Sequence, residues 1–199
     1  MVKRPKPASP TWRAFLANHV PSLVSIDFFT VPTVRNRILY VFVVLAHLRR
    51  RIVHFAVTEH PTAAWTAQQV IEAFPWDTAP KYMIRDRDGV FGDVFRGRVK
   101  AMGIEEVLIA PRSPWQSPYV ERLIGSIRRD CLDHVVVLGE RHLQRVLTDY
   151  VAYYHRSRCH MSLEGDAPEH RESQPPEMGK VIEIPEVRAL HHRYVRRAA

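Results

Sequence analysis

The run Ile38 to Leu48, Ile-Leu-Tyr-Val-Phe-Val-Val-Leu-Ala-His-Leu, limits this chain more than any other stretch. An almost unbroken series of β-branched and aromatic residues has no polar side to turn to water, so it reads as a central strand covered on both faces. The segments around it complete a sheet. Leu23 to Phe29 reads as a buried strand, Val31-Pro32-Thr33 and Arg35-Asn36-Arg37 as a turn, and Ile52 to Thr58 as a third strand after the break at Arg49 to Arg51. Residues 23–58 are thus expected to form an antiparallel meander.

Downstream the hydrophobic period changes. Ala63, Ala67, Val70, Ile71 and Phe74 share one helical face, opened by Pro61-Thr62 and closed by Pro75. A short strand, Lys81 to Arg85, precedes a helix from Asp93 to Met102 that stops at Gly103, and Glu106 to Ile109 is the next strand. A helix from Ser117 to about Leu132 follows, with Ser117 as N-cap, Pro118 at the first position and an apolar stripe of Val120, Leu123, Ile124, Ile127 and Cys131. A last helix runs from about Glu140 to His155. The order β-β-β-α-β-α-β-α-α predicts an α/β fold, a five-stranded mixed sheet flanked by helices. Residues 1–11 read as a disordered basic lead-in, 12–160 as the folded core, and 161–199 as a mostly irregular basic tail.

At 199 residues and 46% hydrophobic content the chain suits one domain with a sizeable core. Its 29 Lys and Arg against 21 Asp and Glu leave a net charge of +8, which favours a polyanionic partner such as nucleic acid. Cys131 and Cys159 form no metal or redox motif, the pattern of a reducing compartment. The longest apolar run is too short to cross a bilayer, and no apolar signal segment follows the N-terminus. A cytoplasmic location without membrane attachment is expected.

Three acids stand out. Asp27 emerges from an apolar strand, where a charge is costly unless paired or metal-bound. Asp86 ends the strand 81–85, and Glu121 opens a helix after 34 intervening residues, 87–120. Each also has an ordinary reading. Asp27 ends its strand facing water, Asp88 is the turn residue of Asp88-Gly89, and Glu121 complements the helix dipole. Together they suit hard-cation chemistry: Mg²⁺ takes oxygen ligands from a few carboxylates plus a substrate phosphate, and two ions about 4 Å apart serve in-line phosphoryl displacement. The eleven His residues are scattered, and His155, His160, His191 and His192 read as surface or packing residues.

The residues also resemble a known family. Ser-Ile-Asp-Phe-Phe-Thr-Val-Pro-Thr (25–33), Ile-Arg-Asp-Arg-Asp-Gly-Val-Phe (84–91), the stretch Pro114 to Leu132, and Tyr-His-Arg-Ser-Arg-Cys-His-Met-Ser-Leu (154–163) are similar, in order, to four motifs of insertion-sequence Asp-Asp-Glu transposases of the retroviral-integrase superfamily. That resemblance implies an RNase H-like catalytic core and two Mg²⁺ (or Mn²⁺) ions held by Asp27, Asp86 and Glu121. It also implies strand nicking and strand transfer in transposition or DNA integration. The implied partners are DNA, as element ends and target, and further copies of the chain in a homo-oligomer, within a bacterial, nucleoid-associated setting. Arg122, Arg128 and Arg129 become candidate DNA contacts.

Two positions depart from the pattern: Asp88 stands where the family has Gly, and Ser117-Pro118 where it often has Asn-Gly. No counterpart of the usual helix-turn-helix region precedes Trp12, so a split or truncated element, a separately encoded catalytic half or an excised segment is expected. The competing readings are a nuclease on the same fold and a catalytically silent protein that binds DNA or pairs with a transposase.

Overall fold

The computed structural model describes residues 10–111 and 113–198. The chain forms α1 (Pro10–His19), β1 (Leu23–Pro32), β2 (Ile38–Ala46), β3 (Ile52–Thr58), α2 (Ala63–Ala73), β4 (Tyr82–Arg85), α3 (Asp93–Ala101), β5 (Glu105–Leu108), α4 (Pro118–Asp130), α5 (Glu140–Arg156), β6 (Lys180–Glu186) and β7 (His191–Arg197). Strands β1 to β5 make one mixed sheet in the order β3-β2-β1-β4-β5, with β2 antiparallel to β1 and β3, and with β4 parallel to β1 and β5. The expected meander and five-stranded α/β architecture are both present.

The apolar run makes β2 the second strand of this sheet, buried on both faces: Val41, Phe42 and Val44 are fully covered and Val43 is nearly so. Each such side chain contributes about 1.5–3 kcal/mol relative to exposure. The two faces belong to different cores. Phe29, Val31, Leu39, Val41, Val43 and Leu45 pack with the apolar stripes of α4 and α5. Val24, Ile26, Phe42 and Val44 pack with α2 and α3. Alternation along β1 therefore decides which side of the sheet each side chain serves.

Local chemistry explains several boundaries. Thr62 caps α2 by accepting a hydrogen bond from the Trp65 amide, and Gly103 adopts a left-handed φ of 73° just past α3. Trp12 and Phe15 of α1 stack, and Phe15 meets Tyr82 at the start of β4 edge-on.

Three expectations need correction. Asp27 does not end its strand; β1 continues to Pro32. Ser117 occupies the N-cap of α4, but its hydroxyl makes no capping bond and is buried without a partner among the described residues. Residues 161–199 are less irregular than expected, since β6 and β7 pair as an antiparallel hairpin. The hairpin sits on α5 through His191, whose ring stacks on Tyr153 at 4.3 Å and whose Nε2 lies 2.6 Å from the Asp130 carbonyl. The expected lead-in 1–11 falls largely outside the described residues, while Pro10 and Thr11 already belong to α1.

Candidate functional site

Strand register brings the first two acids together. Leu23, Val24 and Ser25 of β1 pair with Tyr82, Met83 and Ile84 of the parallel β4. Carried two residues further, the same register sets Asp27 level with Asp86, where β4 has ended at Arg85 and β1 continues. Asp27 alternates with Phe29 and Val31, so its carboxyl lies on the α4 side of the sheet. Glu121 stands in the first turn of α4, beside the buried Val120. All three carboxylates thus gather where parallel strands end beneath a helix N-terminus, the end of an open sheet at which ligands commonly bind.

Electrostatics reports the same proximity. Burial pushes the Asp27 carboxyl up to about 7; the Phe28 amide, donating to Oδ1 at 2.7 Å, opposes this, and the charges of Glu121, Asp86 and Asp88 add to it. Glu121 is also raised, first by burial and then by Asp86. Among the described residues no group of three or more His, Cys, Asp or Glu side chains is drawn together tightly enough to hold a metal. The donor set still fits a hard divalent cation, being all carboxylate oxygen.

Asp86 and Asp88 have separable roles. Asp88 is exposed, accepts the Val90 amide on Oδ1 at 3.2 Å and has its carbonyl bonded by the Phe91 amide, the marks of a turn residue. Asp86 is half-buried and accepts the Asp88 amide. Arg85 anchors the end of β4 from below: its guanidinium, almost wholly buried, pairs with Glu106 at 2.6 Å and donates to the Asp86 carbonyl.

The three arginines of α4 divide between its flanks. Arg128 folds back on β1, donating to the Thr30 carbonyl at 3.1 Å and lying 5.5 Å from the Phe29 ring centre. Arg122 and Arg129 instead line a groove on the opposite flank. Sequence reasoning passed over the residues that complete the neighbourhood. Ser25, on the same face of β1 as Asp27, shares a buried hydrogen bond of 2.7 Å with His47 Nε2. The His47 ring meets Tyr119 of α4 edge-on, and burial together with Arg50 lowers its pKa to about 4. No local motif marks His47; only its place at the end of a doubly covered strand hinted that it would be buried.

Comparison with known proteins agrees with this architecture. Residues 102–168 match the integrase core domain family. A protein of insertion element IS476 from Xanthomonas euvesicatoria is 26% identical over 149 residues, which cover 74% of this chain and 43% of that protein. The chain therefore spans less than half the length of this curated relative. Among solved structures, a chain of the simian T-cell lymphotropic virus intasome superposes with a TM-score of 0.62 at 12% identity, covering 88% of this chain and 67% of that one. The HTLV-2 integrase catalytic core, solved with magnesium, gives 0.57 at 12% identity over 75% of this chain and 94% of that one. The catalytic domain of Mos1 mariner transposase gives 0.58 at 14% identity over 75% and 85%. The chain thus has the RNase H-like fold of the retroviral integrase and mariner transposase catalytic cores, and its residues 102–168 resemble the integrase core domain family.

Proposed function

We propose that the chain is a metal-dependent polynucleotidyl transferase core that nicks DNA and transfers a 3′-hydroxyl to a target phosphate in transposition or integration. The observation that carries this reading is the β1–β4 register that sets Asp27 level with Asp86, beside Glu121 in the first turn of α4; burial and neighbouring acids raise the Asp27 and Glu121 carboxyls accordingly. Asp27, Asp86 and Glu121 would hold two Mg²⁺ (or Mn²⁺) ions. Bound there, the cations would supply Lewis acidity, lower the pKa of an attacking water and neutralise charge on the phosphate.

The protein's own residues do the rest. Asp27, held on a strand and fixed by the Phe28 amide, is the rigid anchor. Asp86 sits on a strand end braced by the Arg85–Glu106 pair. Glu121 approaches from a helix whose stripe is locked into the core, so three elements set the geometry without relying on a flexible loop. The positive surface of α4 steers the polyanion to this site. DNA ends and target as substrates, and a homo-oligomer assembled on them, belong to the same proposal.

The deciding experiment incubates supercoiled DNA with the protein and Mn²⁺, and compares Asp27→Asn, Asp86→Asn and Glu121→Gln with the parent. Metal-dependent nicking that falls in all three variants supports the reading, and joining of an added 3′-hydroxyl end separates transferase from nuclease. Activity that persists unchanged in every variant removes these residues from the active site. DNA binding without any cleavage would favour the silent DNA-binding reading.

A further inference from the structure

The turn between β2 and β3 is held in a conformation that its residues resist. Arg49 and Arg50 are consecutive non-glycine residues at left-handed φ of 52° and 57°. A side chain in that region crowds the backbone, so such a pair persists only where its surroundings over-determine it. The surroundings here are two distant parts of the fold. Arg49 reaches the segment that follows α5, donating to Asp166 Oδ2 at 2.6 Å, to the Ala167 carbonyl at 2.7 Å and to the Pro168 carbonyl at 2.8 Å. Asp166 is itself fixed by His170 and by the amides of Ala167 and Arg171. The Glu169 amide ties this segment back to the His155 carbonyl of α5 at 2.8 Å.

Arg50 is directed to α4. Its guanidinium donates to the His47 carbonyl at 3.1 Å and lies 3.3 Å from the centre of the Tyr119 ring. His47, 2% exposed and bonded through Nε2 to Ser25 of β1, meets the same ring edge-on at 4.9 Å. Two side chains of one turn therefore grip Tyr119, the second residue of α4 and two before Glu121. That helix start has little else to fix it. Ser117 gives it no side-chain cap, the local device that ordinarily secures a first turn. The contacts of Tyr119 supply from the sheet what the cap does not.

We propose that the turn 47–50 is a positioning device for Glu121: His47 and Arg50 hold Tyr119, Tyr119 fixes the first turn of α4, and Arg49 locks the turn by anchoring it on residues 166–168. The device deepens the polynucleotidyl transferase reading above and rests on it. Through this relay the segment after α5 acts on a carboxylate that its own anchoring contacts do not include. A reacting site tolerates displacement of only about 0.5 Å, so slack in the first helical turn lowers turnover more than it lowers substrate binding.

The test reads the full chain in two ways. Hydrogen exchange without metal or DNA follows the amides of Glu121 to Ile124, and Mn²⁺-dependent nicking of supercoiled DNA gives kcat and KM. Tyr119→Leu keeps apolar volume and removes the ring. It is expected to exchange about tenfold or more faster at those amides, with α2 unchanged, and to lose at least about tenfold in kcat while KM for DNA moves less than about threefold. Tyr119→Phe keeps the ring and should stay within about threefold of the parent in every reading. Arg49 supplies a second pair. Arg49→Ala loses the anchor and keeps the strain, so it should behave as Tyr119→Leu does; Arg49→Gly loses the anchor and the strain together, and should recover most of the loss. Should Tyr119→Leu fail to fold, the Arg49 pair decides. Parent-like exchange or kcat in Tyr119→Leu, equal losses in Tyr119→Phe and Tyr119→Leu, or an Arg49→Gly no better than Arg49→Ala each overturn the proposal. Faster exchange at Glu121 in variants of a protein that never nicks DNA would sink the transferase reading and leave the positioning device standing.

Discussion

The two flanks of α4 are opposites in charge and alike in cost. On one, burial first and then the charges of Glu121, Asp86 and Asp88 push the Asp27 carboxyl up to about 7. On the other, Arg122 and Arg129 share a groove with Arg50 and Arg158, of which Arg158 pairs with Asp130. A helix selected for stability alone would interleave these charges, since pairs at i,i+4 support a helix and like charges oppose it. Instead the acids collect on one flank and the arginines on the other. Such segregation is what a site must have before its ligands arrive, because groups already satisfied by one another gain nothing from binding.

The largest effect expected from this contrast separates Asp86 from Asp88. Asp86→Asn should lower Mn²⁺-dependent nicking by at least about a hundredfold, while Asp88→Asn, which alters only a turn residue, should cost less than about tenfold. Comparable losses, read from initial nicking rates, would merge the two roles. Next in size is the difference between a braced and an unpaired arginine in the groove. Arg158→Ala strips Asp130 of its ion pair and should cost about 1.5–3 kcal/mol in urea unfolding. Arg122→Ala should stay within about 0.5 kcal/mol of the parent.

On the acidic flank, cations must displace the proton that Asp27 retains. Mn²⁺ affinity, followed by calorimetry, should therefore rise up to about tenfold per pH unit below pH 7 and level off above it. Affinity independent of pH from 5.5 to 8 would remove Asp27 from the ligand set. The smallest effect is on stability. The folded pKa of Asp27 lies above its unfolded value, so the native state holds the extra proton between about pH 4 and 7 and stability falls as pH rises through that window. Asp27→Asn abolishes the fall. It should match the parent near pH 4 and exceed it by about 1–2 kcal/mol at pH 8, the partial exposure of Asp27 screening the rest. An equal gain at both pH values, seen in thermal melts, would point to packing and not to charge.

Much of the fold could be read from the chain because its determinants are local. The Thr62 cap, the Gly103 stop and the stripe Val120, Leu123, Ile124, Ile127 and Cys131 each need only neighbours within a turn or two, and all appear where periodicity puts them. The hairpin of β6 and β7 escaped for equally local reasons. Pro185 lies within β6, and the turn is made by Val187, Arg188 and Ala189 at φ of 50°, 55° and 66°, with no Gly or Asn to announce it. Gly179, at φ 110°, was the one available sign, since a Cβ there would overlap the Arg197 carbonyl. At the site, the type of acid was legible and its setting was not. Asp27 looks like a strand end because Phe28 to Pro32 lack the alternation of a half-exposed strand, whereas pairing with β2 carries β1 through them.

What the sequence determined by itself was the sheet, its flanking helices and the three acids, since hydrophobic period and residue chemistry are written into each short segment. Tertiary structure alone decided which charges meet. The β1–β4 register set Asp27 level with Asp86, the packing of α4 turned Arg128 onto Phe29 and Arg122 and Arg129 away from it, and the return of the chain after α5 delivered Arg158 and His160 to the same groove. Such meetings depend on contacts between residues tens of positions apart, and a charge carries no mark of its distant neighbour until the core has fixed the elements that hold both.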